Sequence, residues 1–174
     1  INIGCDRLDQ RNFKLEDLAK LNNALEWMSN NGYNTTYLAH KDVDLKALDY
    51  LNVKSIKNIS RFTTKELLKT YSEFDVVFGG RGHSLMIPFG LSIPIVSITT
   101  HDKQKFFMDD TKCNDSNLEL SQITSQSFLN FVKNLDKKIS SQPDLNIKYQ
   151  KNGYELWKNF VLYLKNCLSL REQL

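Results

Sequence analysis

The chain of 174 residues is short of the residues that punctuate or cross-link a fold, with 7 glycines, 3 prolines and 3 cysteines. So little Gly and Pro excludes long flexible linkers, and the sequence contains no low-complexity tract or internal repeat. Cys5, Cys113 and Cys167 are odd in number, far apart and without a C-x-x-C pair, which argues against a zinc or redox motif and for reduced thiols. No uninterrupted apolar run approaches the ~20 residues that cross a bilayer, and the first residues lack a secretory signal pattern, so a cytoplasmic protein is expected. A basic block is missing too. The 23 Lys and Arg stand against 20 Asp and Glu along the whole chain, and no nucleic-acid partner is expected. What remains is the composition of an ordinary globular domain, 41% hydrophobic and 25% charged. The chain opens on Ile1, already in strand-like sequence, which suggests a part of something larger.

Short β-branched runs alternate with helical periodicity, and strands are expected at 1–5, 35–39, 53–59, 75–78 and 93–98. Leu15, Leu18, Leu21, Leu25 and Met28 fall on one helical face that Gly32 stops, and a short helix over 43–51 starts at Asp42. Thr63 and Glu66, three apart before Leu67 and Leu68, make a capping box that opens a helix over 64–72. After Lys103 the strand signal fades: 106–108 suits a short helix and 111–120 one weak strand. Phe128, Val132, Leu135 and Ile139 share a helical face. Leu156, Phe160, Tyr163 or Leu164, and Cys167 share another in a terminal helix, with Pro143 between the two. The alternation predicts an α/β fold, a Rossmann-like parallel sheet of about five strands with helices on both faces over 1–142, and a helical extension over 143–174. Residues 76–78 and 95–98 lack polar alternation and should be neighbouring buried strands.

In such a sheet, ligands bind beyond the carboxyl ends of the strands, where helix N-termini present N–H groups and partial positive charge. That edge is expected to carry Asp6 and Arg7, His40 and Lys41, Arg61, the run Arg81-Gly82-His83-Ser84, and His101-Asp102-Lys103. All three histidines lie on it, which suits an anion, although loops are also simply polar. The fourth loop is the most informative, because Gly79, Gly80 and Gly82 cluster there around Arg81. Backbone at this turn must approach something closely or adopt φ > 0. An Arg fork can grip a carboxylate or phosphate, and a His at the mouth of the next helix can exchange protons. Equally, the turn can hold a solvated Arg and a His capping a carbonyl. No dinucleotide-binding glycine motif or P-loop occurs.

The stretch from Phe74 to Leu85, with Asp75 and Arg81-Gly82-His83-Ser84, then Gly90-Leu91-Ser92-Ile93-Pro94 and its apolar strand, then Asp102-Lys103, resembles the carboxyl-terminal half of the polysaccharide pyruvyl transferase family. The family pattern is an Asp-led apolar strand, a small residue, Arg-x-His, an apolar helix, Gly-x-Pro, a strand and a Lys. Here three residues rather than one separate Gly90 from Pro94. The resemblance implies one half of a GT-B-like architecture, with an amino-terminal half supplied by residues outside this chain. It implies transfer of pyruvate from phosphoenolpyruvate, as co-substrate and without another cofactor or a metal, onto two hydroxyls of one sugar of a surface or cell-wall glycan. The acceptor would be a glycan or lipid-linked sugar, the protein cytoplasmic and peripheral to the inner face of the membrane, with self-association allowed.

Residue by residue, Arg81 and His83 match the Arg-x-His that contacts phosphoenolpyruvate, and Lys103 matches the following Lys. His83 is the expected acid. Arg81 and Lys103 would hold carboxylate and phosphate, with Ser84, Gly80, Gly82 and His101 as further contacts at the same edge. The competing readings are the donor-binding half of a GT-B glycosyltransferase or sugar-nucleotide epimerase, and a non-catalytic module that recognises an anionic glycan. The residues Leu85 to Phe89 offer no carboxylate to grip a ribose, which counts against the first. The cysteines fit packing roles better than nucleophilic ones.

Overall fold

Runs without polar alternation have to be covered on both sides, and the two such runs in this chain lie side by side at the centre of the sheet. The computed structural model describes residues 1–6, 8 and 13–171, with side chains throughout that span except at 156–157 and 159–171. β4 (Val77–Gly80) pairs in parallel with β5 (Ile95–Thr99), as expected, and both are buried along their length. β4 is flanked on its other side by the two-residue β1 (Asn2–Ile3), and β5 by β6 (Asn117–Glu119), giving a four-stranded parallel sheet in the order β1-β4-β5-β6. β2 (Thr36–Ala39) and β3 (Ser55–Asn58) form a second, two-stranded parallel sheet. It abuts the first through Ile1, whose nitrogen donates to Thr36 O at 2.8 Å and whose carbonyl accepts from Leu38 N at 2.8 Å. Across this seam the strands run 3-2-1-4-5-6, the Rossmann order, with its reversal between β1 and β4.

Helices cover both faces, as the alternation predicted. Phe78, Val96 and Ile98 point to the face that holds α1 (Asn22–Asn30) and α5 (Ser125–Lys133), against Leu25, Met28, Phe128 and Val132. Val77 meets Tyr71 of α2 (Thr64–Tyr71) on the other face, and Ile95 meets Leu85 and Phe89 of α3 (His83–Gly90) and Met108 of α4 (Asp102–Asp110). Each such side chain, fully buried, contributes roughly 1.5–3 kcal/mol. The Thr63–Glu66 capping box forms, with Thr63 N donating to Glu66 Oε2 at 2.7 Å.

Four elements differ from the sequence reading. The first helical face is a 3-10 segment, Leu15–Leu21, running into α1, and the expected helix over 43–51 is a 3-10 segment, Asp42–Asp49. Its buried residues, Asp44 and Ala47, are three apart, which suits three residues per turn. The face shared by Phe128, Val132, Leu135 and Ile139 is divided between α5 and α6 (Leu135–Ile139). Pro143 does not separate helices; it sits at the second residue of α7 (Gln142–Arg171), where its missing N–H leaves no bond unmade. The expected apolar face of Leu156, Phe160, Tyr163, Leu164 and Cys167 lies outside the described side chains.

Gln142 ties α7 to the sheet. Its buried amide accepts from Ile95 N at 2.7 Å and donates to Ile95 O at 2.8 Å and Ser116 Oγ at 2.9 Å. Because β6 first pairs with β5 at Ser97, the side chain substitutes for a neighbouring strand at Ile95. Gln142→Leu leaves both backbone groups of Ile95 unpaired, at about 1–3 kcal/mol for each unsatisfied group. A matching drop in urea unfolding free energy, with the m-value unchanged, is the expected result.

Candidate functional site

The reversal of strand order between β1 and β4 brings the loop Gly80-Arg81-Gly82-His83 beside Gly4, Cys5 and Asp6, and the loop after β2 beside both. The glycines explain how closely these strands fit. A Cβ on Gly80 would stand 2.8 Å from Asn2 O, and one on Gly79 would stand 2.7 Å from Ser84 O. Neither has a positive φ, so of the two needs a glycine can serve here, close approach is the one that applies, and the close neighbour is the protein's own backbone. Gly82 differs: a Cβ there would meet nothing within 4 Å, and its φ of −55° and ψ of −49° are already helical.

Arg81 is not a free anion hook. Its Nε donates to Asp44 Oδ2 at 2.9 Å and its Nη2 to Asp44 Oδ1 at 2.5 Å, with Asp6 Oδ1 2.9 Å from the same Nη2. The Asp44 side chain is wholly buried, and it also accepts from Cys5 N and from Lys41 N, each at 3.1 Å. One carboxylate thus takes four donors from three loops. Asp6 in turn accepts from Lys41 Nζ at 2.9 Å. Burial acts to raise the Asp6 carboxyl, but Lys41 and Arg81 outweigh it and hold the group well below the usual carboxylate range. Burial beside Asp44 pushes the Cys5 thiol up to about 12, so it is a packed, protonated side chain.

His40, at the end of β2, bonds through Nε2 to the Tyr71 hydroxyl. Burial pushes it down to about 4, with the charges of Arg81 and His83 acting the same way and Asp44 opposing, so it is neutral near pH 7. His83 stands exposed at the first residue of α3. Ser84 closes the turn below it: its Oγ donates to Arg81 O at 2.8 Å and accepts from Arg81 N at 3.0 Å. Lys103 and His101 lie at the start of α4, where Lys103 N donates to His101 Nδ1 at 3.1 Å. Both side chains are exposed, and no hydrogen bond or ion pair among the described residues joins them to Arg81 or His83. Arg7 lies outside the described residues.

The structure therefore gathers Arg81, Lys41, Asp6, Asp44, His40 and His83 at the carboxyl edge. The residues that sequence reasoning missed are Asp44 and Tyr71. For Asp44 a signal existed, because it shares a helical face with Ala47, Leu48 and Leu51, and an acid on an apolar face needs a cation. A larger cavity, about 630 Å³, opens at the opposite edge between Ile1, Thr36, Asp75 and Phe78, and its lining holds no His, Lys or Arg. A smaller one, about 170 Å³, lies past β5 and β6 against His101 and Lys105. Among the described residues no three His, Cys, Asp or Glu side chains gather as metal ligands, and no helix is long and apolar enough to cross a membrane. No protein-family model, curated protein or solved structure matches the chain.

Two outcomes follow from these pairings. Asp44→Ala leaves Arg81 without its buried partner and should cost about 3–5 kcal/mol in chemical denaturation. His40 binds its proton more weakly folded than unfolded, so stability should fall as pH drops from about 6.5 towards about 4. His40→Gln should flatten that part of the stability curve, measured by thermal melts across the range.

Proposed function

We propose that this chain is the carboxyl-terminal, phosphoenolpyruvate-binding half of a pyruvyl transferase that acts on a glycan or lipid-linked sugar at the cytoplasmic side of a membrane. The observation that carries the proposal is the placement of Arg81 and exposed His83 on one strand-to-helix turn, in the crevice where strand order reverses. That is where an open α/β sheet takes its ligands. The open space above Gly82 lets an anion approach the first N–H groups of α3, which have no partners within the helix.

In this reaction His83 gives a proton to the methylene carbon of phosphoenolpyruvate, and a sugar hydroxyl attacks the adjacent carbon. A second hydroxyl of the same sugar then displaces phosphate from that carbon. Two C–O bonds to sugar form and the bond to the phosphate oxygen breaks; the first hydroxyl's proton restores His83, and the second hydroxyl's proton leaves with the phosphate. Arg81 faces the developing negative charge; Asp44 fixes its fork and sets its reach. Lys103 and His101, on the adjoining loop, meet the substrate from the β5 side.

Calorimetry with phosphoenolpyruvate, a UDP-sugar and a pyruvylated glycan tests the reading, with binding of phosphoenolpyruvate alone expected. In the protein that carries both halves, His83→Asn should keep phosphoenolpyruvate binding and lose ~10²–10⁴-fold in phosphate release with acceptor present. Gly82→Ala, at a helical position with open space, should melt no lower than the parent yet bind phosphoenolpyruvate less well. A fully active His83→Asn protein removes His83 as the acid.

A further inference from the structure

Two carboxylates meet Arg81, and they are not equivalent. Asp44 is buried, accepts four hydrogen bonds and holds the guanidinium edge-on. Asp6 is 27% exposed and has a different environment: its two oxygens bridge two cations, Oδ1 to Arg81 Nη2 and Oδ2 to Lys41 Nζ, each at 2.9 Å. Counting Arg81, Lys41 and Asp44 alone, the cluster carries one surplus positive charge, and Asp6 cancels it. The bridging position lies just past the ends of β1 and β4, beside the turn that bears His83. Lys41 itself is 59% exposed and is held in place by its backbone bond to Asp44 as well as by Asp6.

A carboxylate spanning two cations at these distances has the shape of a small anionic ligand already in its seat. We propose that Arg81 and Lys41 together form the seat for the anionic group of the substrate, a carboxylate or a phosphoryl group, and that Asp6 occupies it in the unliganded protein as an internal competitor. Binding then exchanges one anion for another: Asp6 swings to solvent and the ligand takes over both cations. Asp44 stays, because its burial leaves it no other partner for its charge. Lys41 becomes a binding residue and Asp6 a gate that lowers apparent affinity by the fraction of molecules in which it is seated. The identification of the anion as phosphoenolpyruvate rests on the function proposed above; the seat itself does not.

The test is titration of the chain with inorganic phosphate, pyruvate and phosphoenolpyruvate, followed by calorimetry and by the imidazole signals of His83 and His40. Asp6→Asn should bind phosphoenolpyruvate at least about threefold tighter than the parent, and whichever of phosphate or pyruvate gains similarly identifies the seated group. Lys41→Met should weaken binding of the same anion in both the parent and the Asp6→Asn background. Unchanged or weaker binding by an Asp6→Asn protein with an intact melt overturns the proposal, as does undiminished binding in Lys41→Met. If Asp6→Asn does not fold, the comparison of Lys41→Met with the parent decides. Tighter phosphate binding in Asp6→Asn without any turnover of phosphoenolpyruvate by the two-half protein upholds the seat and rejects pyruvyl transfer. Turnover with affinities insensitive to both variants does the reverse.

Discussion

The carboxyl edge of this sheet is organised by one buried carboxylate. Asp44 accepts from the backbone of the β1 loop, from the backbone of its own loop and from the guanidinium of the β4 loop, so three chain segments converge on two oxygens. Tyr37 reinforces the point from within β2, its hydroxyl 2.8 Å from the carbonyl oxygen of Asp44 and 3.2 Å from that of Ile3. A buried ion pair gives little net stability over an apolar replacement, because desolvating both charges offsets their attraction. Its effect is on position. With Nε and Nη2 committed, the Arg81 side chain has one orientation, and everything placed relative to it inherits that constraint.

The same constraint separates scaffold from site within a single loop. Gly79, Gly80 and Ser84 serve the packing of β4 against β1 and α3, and their contacts are all internal. Gly82 and His83 face open space. Arg81 belongs to both groups, anchored on one side by Asp44 and exposed to exchange on the other through Asp6 and Lys41. His40 extends the scaffold sideways: neutral and bonded to Tyr71, it links β2 to α2 without adding charge next to Arg81. Arg81, Lys41, His40 and His83 are therefore concentrated at one edge of the sheet, while the charged side chains that line the large cavity at the opposite edge are all carboxylates.

Much of this was legible in the sequence, for physical reasons that can be named. The runs holding Val77, Phe78, Ile95, Val96 and Ile98 lack polar alternation and require cover on both faces, which with the strand–helix alternation made them central parallel strands. Thr63 and Glu66 fixed a helix start because their side chains reach each other's backbone N–H without help from the rest of the fold. The glycine cluster marked the turn after β4 as a place of close approach, and the placing of histidines and cations after successive strands marked the carboxyl edge. Local chemistry with a short range in sequence sufficed for all of these.

What the tertiary structure decided involves partners far apart in the chain. Arg81 and Asp44 are 37 residues apart, Gln142 and Ile95 are 47 apart, and neither pairing leaves a periodic trace. The seam at Ile1 that sets the strands in the 3-2-1-4-5-6 order depends on two backbone bonds, backed by the buried Asn2 amide on Leu38 O and the Tyr37 hydroxyl on Ile3 O, all between residues more than thirty apart. Whether an arginine beside three glycines faces solvent, a ligand or its own protein is likewise settled by which carboxylates the fold brings to it. Sequence determined the kind of layer and the edge on which charge would collect, because periodicity and capping are local. The fold determined which charges meet, because a buried carboxylate takes the cation that topology places within its reach.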